Sequence, residues 1–216
     1  MKQSVIVIGL GRFGAAAARE LAALGHEVLA IDRDEERVND VAPDVTHAVQ
    51  ADATNEDALR SVGAADFDFA IVAISGVTEP SIFATMALKT LGVGTVVAKA
   101  GSTLHGAILE RVGADRVVYP EVDMGRRVSH FLFSARHVID YLDVAPGFGL
   151  VKVHPRGEHV GRTLGEIDFP GTMSLTPVAL RRGNKVTVNP DRTERVATGD
   201  ELILIGLDAR LASLGD

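Results

Sequence analysis

The 216 residues contain no cysteine, no tryptophan and only two tyrosines. Without cysteine there is no disulfide, no thiolate nucleophile and no cysteine metal site. Without tryptophan, and almost without tyrosine, there is no aromatic platform on which single-stranded bases would stack. Basic residues are also in deficit, 22 Lys and Arg against 29 Asp and Glu, for a net charge of −7. Nucleic-acid binding rests on neutralising phosphates with a basic surface, so no nucleic-acid partner is expected. Long hydrophobic runs are missing too. Met1-Lys2-Gln3-Ser4 leads directly into Val5-Ile6-Val7-Ile8, a run far too short for a signal h-region or a membrane span. A cytoplasmic chain is the expectation.

What is present reads as a globular protein, with 46% apolar and 24% charged residues,. Short apolar β-rich runs occur at Ser4–Gly9, Glu27–Asp32, His47–Ala51, Phe69–Ile74, Thr95–Lys99 and Arg116–Tyr119. Each is followed by a segment with helical spacing, the first being Phe13–Leu24 closed by Gly25. Strands apolar on both faces and separated by helices imply a parallel sheet covered on both sides. Six of them match a complete Rossmann sheet. After Tyr119 the pattern changes. Pro120–Arg136 reads as a helix whose candidate buried positions are Val122, Met124, Val128, Phe131, Leu132 and Ala135. Pro146-Gly147-Phe148-Gly149 then punctuates the chain. Beyond it, Leu150–Val153, Ser174–Leu180, Lys185–Val188 and Glu201–Ile205 are strand-like, with a hairpin turn at Arg182-Gly183-Asn184 and short helices at Gly161–Ile167 and Ala209–Leu214. The expected fold class is α/β: a Rossmann-like doubly wound parallel sheet over residues 1–119, a crossover helix and linker over 120–147, and a smaller α+β lobe over 148–216. Most of the acidic excess falls in residues 1–140.

Gly9-Leu10-Gly11-Arg12-Phe13-Gly14 is G-x-G-x-x-G, directly after the first strand and opening the first helix. Gly9 permits the tight turn, Gly11 lets a phosphate approach the backbone, and Gly14 lets helix and strand pack closely. The helix N-terminus offers free N–H groups and partial positive charge. Asp32 ends the second strand, where it would accept hydrogen bonds from a ribose diol. Arg12 puts a guanidinium inside the loop, where a helix N-terminus discourages a cation. It reads either as a ligand for a terminal phosphate or as a solvated helix-end arginine.

Together with Gly25–Asp32, Thr46-His47-Ala48-Val49, Asp52-Ala53-Thr54, Ile71–Ile74, Gly113–Glu121 and Asp123-Met124-Gly125, this loop resembles the RCK (regulator of conductance of potassium) subunits of bacterial Ktr and Trk potassium-uptake systems. The N-terminal strings carry the likeness; the small lobe matches an RCK C-terminal domain in length and strand order. The resemblance implies a non-enzymatic regulatory subunit that binds ATP and ADP, in some members NAD. It implies dimers formed through the crossover region, an octameric ring of them, and docking on a membrane potassium channel or transporter subunit at the inner face of the membrane. It further implies that Gly9, Gly11, Phe13 and Gly14 form the phosphate loop, that Arg12 meets the terminal phosphate of ATP, that Asp32 binds the ribose, and that the following Arg33 also belongs to the nucleotide site. Asp52, Ala53 and Thr54 then lie beside adenine, where other members often carry Asn at the position of Asp52. Lys99 lies near the nucleotide, and Glu121 lies by the phosphates, where a divalent cation, Mg or Ca, sits. Some relatives bind a cyclic dinucleotide at the small lobe, but the motif in Ile167–Pro190 is weak. Each position also has a plainer reading. Thr54 is a helix N-cap, Lys99 a strand-end surface charge, and Glu121 an acid favoured at a helix start.

Seven histidines, at 26, 47, 105, 130, 137, 154 and 159, show no H-E-x-x-H or i, i+4 metal spacing,. No G-x-S-x-G occurs, and neither tyrosine is followed four residues on by lysine,. The enzyme alternative is a small NAD-dependent oxidoreductase, for which the glycine loop and Asp32 would serve equally well. A third class, a nucleotide sensor acting on transcription, is opposed by the acidic charge and the absence of a DNA-binding motif.

Overall fold

The computed structural model describes residues 2–133, 137–212 and 214. The chain divides into two compact units, Met1–Glu121 and Val122–Asp216.

In the first unit, β1 (Ser4–Ile8), β2 (Glu27–Asp32), β3 (His47–Gln50), β4 (Phe69–Val72), β5 (Thr95–Lys99) and β6 (Arg116–Val118) form one parallel sheet in the order β3-β2-β1-β4-β5-β6. Between them run α1 (Arg12–Ala23), α2 (Glu35–Val41), α3 (Glu56–Ser61), α4 (Thr78–Thr90) and α5 (Thr103–Arg111). The doubly wound Rossmann-like sheet expected from the apolar runs is the fold observed. Val5 and Val7 pack with Val28 and Ala30 on one face. Ile6 and Ile8 pack with Ile31, Ala70 and Val72 on the other. Both faces are buried, which is why these strands read as continuous apolar runs rather than as alternating ones. Helix ends follow local chemistry. Gly25 has φ +88°, and its N–H donates to Ala22 O at 2.9 Å, closing α1,. Asp34 caps α2 by accepting the Glu36 N–H at 3.0 Å, and Ser102 caps α5,.

α6 (Pro120–Phe133) opens on proline, whose missing N–H costs nothing at a first helical position,. The second unit contains one antiparallel sheet, in the order β10-β9-β11-β8-β7. Its strands are β7 (Val138–Ala145), β8 (Phe148–Val153), β9 (Leu175–Arg182), β10 (Lys185–Val188) and β11 (Glu201–Leu207), accompanied by α7 (Leu164–Ile167), α8 (Phe169–Met173) and α9 (Asp208–Ala212). Phe169, Leu175, Leu202 and Leu204 form its core. The β9–β10 turn is tight, with Arg182 paired to Lys185 and Gly183 at φ +59°.

Three expectations change. Residues 138–145 form a strand, β7, to which the sequence pattern assigned none. Two ion pairs join it to α6, Arg127 with Asp140 and Arg126 with Asp143. Phe169–Met173 adds a helix that the pattern did not show. Val122, Met124 and Val128, expected to be buried, are exposed; Ala135 and the side chains of Phe131 and Leu132 lie outside the described residues. Of the histidines, His105 and His159 are buried. His105 accepts the Gly101 N–H at Nδ1 and meets Ser81 Oγ through Nε2 at 2.8 Å. Burial holds its pKa below the ordinary imidazole value,.

Among the described residues of the second unit, the least exposed charge is Asp200, at 0%. It accepts two 2.8 Å bonds from the Arg182 guanidinium and one from the Ala197 N–H. The Arg182 fork holds its pKa below the ordinary carboxylate value, against the opposing effect of burial,. The stabilisation is therefore present above the unfolded carboxylate pKa and is lost as pH falls through the depressed folded value. Asp200→Asn is expected to cost about 2 kcal/mol or more of unfolding free energy at pH 7, measured by urea titration. The penalty begins to shrink below about pH 4, where the unfolded carboxyl takes up its proton, and disappears only below the depressed folded value,.

Candidate functional site

The carboxyl ends of β1 and β4, where the strand order reverses, open onto a cleft of about 1020 Å³ within the first unit. Ligands of open α/β sheets bind in this crevice. Gly9, Gly11, Arg12, Phe13, Asp32, Arg33, Asp52, Ala53, Thr54, Lys99 and Glu121 all line it. The structure thus brings eleven of the twelve candidate residues around one space. The twelfth, Gly14, lies behind the loop. A Cβ there would fall 1.8 Å from Gly9 O, so α1 reaches the loop only because Gly14 has no side chain. Gly11 is different: a Cβ there meets nothing within 4 Å and would project into open space.

Gly11 is the N-cap of α1, with no side-chain cap and no acid in the first turn. The first N–H groups of the helix are therefore left for an anion. Asp32, 6% exposed, accepts the Leu10 N–H at 2.6 Å through Oδ2 and the Asp34 N–H at 2.9 Å through Oδ1. It ties the glycine loop to β2 while retaining acceptor capacity. Arg37 lies 3.5 Å from the same Oδ2. Asp52 Oδ1 accepts both the hydroxyl of Thr54, at 2.7 Å, and its N–H, at 2.9 Å. Those bonds, with Arg33 nearby, hold the carboxyl below its ordinary pKa. Thr54 is therefore not the N-cap of α3; that position is Asn55, whose Oδ1 accepts from Asp57 and Ala58.

Lys99 is no surface charge. At 8% exposure its ammonium donates to Ser75 Oγ at 3.1 Å and Glu121 Oε1 at 2.5 Å and sits 5.9 Å over the Phe13 ring,. The Lys99 bond holds the Glu121 carboxyl below its ordinary pKa, with Arg12 adding to the effect. The Arg12 guanidinium makes no hydrogen bond or ion pair among the described residues. No group of three or more His, Asp or Glu among those residues is gathered as a metal site. Glu121 offers a cation one carboxylate, so phosphate, water or a second chain would supply the remaining ligands.

Sequence reasoning missed Ser75 and Arg37. Ser75 was reachable in principle, because it lies just beyond β4, beside the reversal of strand order. Nothing in the local pattern marks Arg37, which reaches the cleft from the exposed face of α2.

A six-stranded sheet of this order with a glycine loop at its reversal point defines the class: a Rossmann-type domain, the fold of many nucleotide-binding proteins, in a chain that also carries a small antiparallel lobe,. Residues 5–120 match the TrkA-N domain and residues 150–216 the TrkA-C domain, and the chain belongs to this family of potassium uptake proteins. It is 40% identical over 206 residues to the Ktr system potassium uptake protein C of Bacillus subtilis (strain 168), covering 95% of this chain and 93% of that one. Among solved structures, the GsuK RCK domain superposes with a TM-score of 0.66 at 16% identity, over 100% of this chain and 47% of that one. The GsuK channel bound to NAD gives 0.64 at 17%, over 99% and 39%. At those identities the likeness is one of fold, and the chain spans less than half of either solved chain. The family anticipated from the motifs is the family found. Its relatives are potassium uptake proteins rather than enzymes, which sets aside the oxidoreductase alternative. No helix among the described residues is long and apolar enough to cross a membrane.

The two glycines separate folding from ligand binding. Gly14→Ala is expected to lose roughly 1–3 kcal/mol of stability from backbone overlap. Gly11→Ala should melt within about 2 °C of wild type, because its added methyl enters empty space. It should nevertheless lose ligand affinity in the cleft. Thermal melts paired with calorimetric titration check both.

Proposed function

We propose that the chain is the nucleotide-binding regulatory subunit of a potassium uptake system, taking ATP and ADP, with NAD as an alternative ligand, in the β1–β4 cleft. The observation that carries this reading is the convergence of an uncapped helix start, the ribose-side acid Asp32 and the unpaired Arg12 on one cleft, in a chain of this family. The α1 N-terminus and Gly11 take the phosphates, Asp32 binds the ribose with Arg33 beside it on the cleft wall, and the Asp52–Thr54 turn borders the base. Glu121, with the phosphates, shares a divalent cation, Mg or Ca. When bound, such a cation neutralises phosphate charge.

In this reading, residues 120–147 act as the crossover joining the nucleotide domain, 1–119, to the small lobe, 148–216. Two protomers pair through it, and dimers assemble into an octameric ring on the cytoplasmic face of a membrane potassium channel or transporter subunit. The exposed Met124 and Val128, one helical turn apart on α6, support a pairing role, because solvated apolar side chains on a long helix call for a partner,. A cyclic dinucleotide at the small lobe is a further ligand class within this reading. A strict monomer by light scattering, with and without nucleotide, would contradict the assembly; the expected species is larger than a dimer.

A regulator separates two ligands by differential contacts. ATP and ADP share adenine, ribose and two phosphates, so only a group that meets the third phosphate distinguishes them. Charge-assisted bonds from Arg12 would contribute about 1.5–3 kcal/mol there. In calorimetry, Asp32→Ala is expected to weaken ATP and ADP alike. Arg12→Ala should leave ADP within about twofold, weaken ATP about tenfold or more, and abolish ATP-driven potassium flux in liposomes holding the channel subunit. Equal losses for the two nucleotides would show that Arg12 only shapes the loop.

A further inference from the structure

Val77 and Pro80, at the start of α4, line the cleft. No side chain caps this helix start; its first turn is tied down through Ser81. Ser81 is fully buried. Its hydroxyl donates to Thr78 O at 2.7 Å and meets His105 Nε2 at 2.8 Å. Across the same ring, Nδ1 accepts the Gly101 N–H at 3.2 Å. With Nδ1 an acceptor, the neutral imidazole carries its proton on Nε2 and donates it to Ser81. The row Gly101, His105, Ser81, Thr78 therefore runs donor to acceptor throughout, and only the neutral ring satisfies it. It links the residues just after β5 to the turn of α4 that borders the cleft. Among the described residues no charged side chain bonds to the ring. Glu79 on α4 and Glu110 and Arg111 on α5 are exposed. Lys89 and Lys99 are held by Asp115 and Glu121, and the Tyr119 hydroxyl lies against Gly106. Burial is what disfavours a charge on the imidazole,.

We propose that His105 is a pH-sensitive positioning residue for the nucleotide cleft: neutral, it holds the first turn of α4 to the end of β5, and protonated, it lets that turn go. The inference rests on the nucleotide reading above. A second proton can enter only at Nδ1, where it faces the Gly101 N–H. Donor then meets donor, and the bond is lost. The turn carrying Val77 and Pro80 loses its link to the β5–α5 segment, and the cleft wall it forms is no longer preformed. The held state is complete at neutral pH and is lost as pH falls through a folded value lying below the ordinary imidazole pKa,. Nucleotide affinity follows it downward. By linkage, a bound nucleotide must favour the neutral ring by the same factor.

The test is calorimetric titration of the full chain with ADP in steps from about pH 7.5 to about pH 5, for wild type, His105→Gln and Ser81→Ala, with thermal melts at each pH to establish folding. Glutamine keeps a donor for Ser81 but cannot titrate; Ser81→Ala keeps the ring but cuts its link to α4. The phosphates of ADP and the remaining histidines titrate alike in all three proteins, so the comparison isolates His105. Across the range, wild type is expected to lose about threefold to tenfold more affinity than either variant, the worth of one hydrogen bond. A second readout needs no variant. In proton NMR of the wild type, the pKa of the assigned His105 ring should fall by about 0.5–1 pH unit when ADP is bound, the logarithm of the same factor. A His105 pKa that ADP leaves unchanged, or a wild-type pH profile that matches His105→Gln, would overturn the inference while leaving the nucleotide reading intact. So would a Ser81→Ala profile that retains the full wild-type dependence. A folded wild type that binds no ADP at neutral pH would overturn both.

Discussion

A methyl group on Gly14 would sit 1.8 Å from the carbonyl oxygen of Gly9, and the absence of that methyl sets the geometry of the whole first unit's ligand edge. It lets the first turn of α1 lie against the end of β1, so that the free N–H groups of the helix open onto the cleft. The loop between them is then fixed from two other strands. Gly9 N–H donates to Ile31 O at 2.8 Å, and Asp32 holds the Leu10 N–H. On the β4 side, Gly9 at φ +91° passes so near Ala73 and Ile74 that a Cβ there would fall 2.8 Å from the Ile74 nitrogen. A loop clamped between three strands is preorganised. Any response to the identity of a ligand falls to the side chains around it: Arg12, Arg37, Lys99 and Glu121.

That division explains what could be read from the chain before its fold was known. The strands of the first sheet were legible because burial on both faces writes itself as unbroken apolar runs. The loop was legible because its requirements are backbone requirements, and glycine answers them in place. β7 was hidden because its apolar residues are interrupted by Asp140 and Asp143, which read as a polar linker until Arg127 and Arg126 of α6 are seen to pair with them. The plainer reading of Thr54, as a helix cap, fails for a related reason. Asn55 beside it makes the cap, and which of two adjacent polar residues does so depends on backbone angles that the pattern does not carry. The links from Lys99 to Ser75 and Glu121 span 24 and 22 residues, so they exist only once the sheet has brought β4, β5 and α6 to one edge.

Charge shows how the assembled cleft differs from the chain that builds it. Acidic residues outnumber basic ones in the whole protein, 29 to 22. Around the cleft, however, Arg12, Arg19, Arg33, Arg37 and Lys99 face Asp32, Asp40, Asp52 and Glu121. Three of these cations already have carboxylate partners: Arg19 with Asp40 and Asp44, Arg37 with Asp32 and Asp34, and Lys99 with Glu121. Arg12 and Arg33 have no ion pair among the described residues.

Such pairing has a consequence for recognition. A cleft crowded with free cations would bind any polyanion strongly, and one phosphate more or less would change little. Here most of the positive charge is held in ion pairs, and the attraction left for an anion comes from a helix end and two arginines. With so little surplus, the gain or loss of a single charge in the ligand is a large fraction of the electrostatic interaction. Discrimination between ligands needs contacts that differ between them rather than contacts that are merely strong. On the proposed reading, the acids that pair with cleft cations therefore contribute to selectivity by removing attraction that every nucleotide would otherwise share.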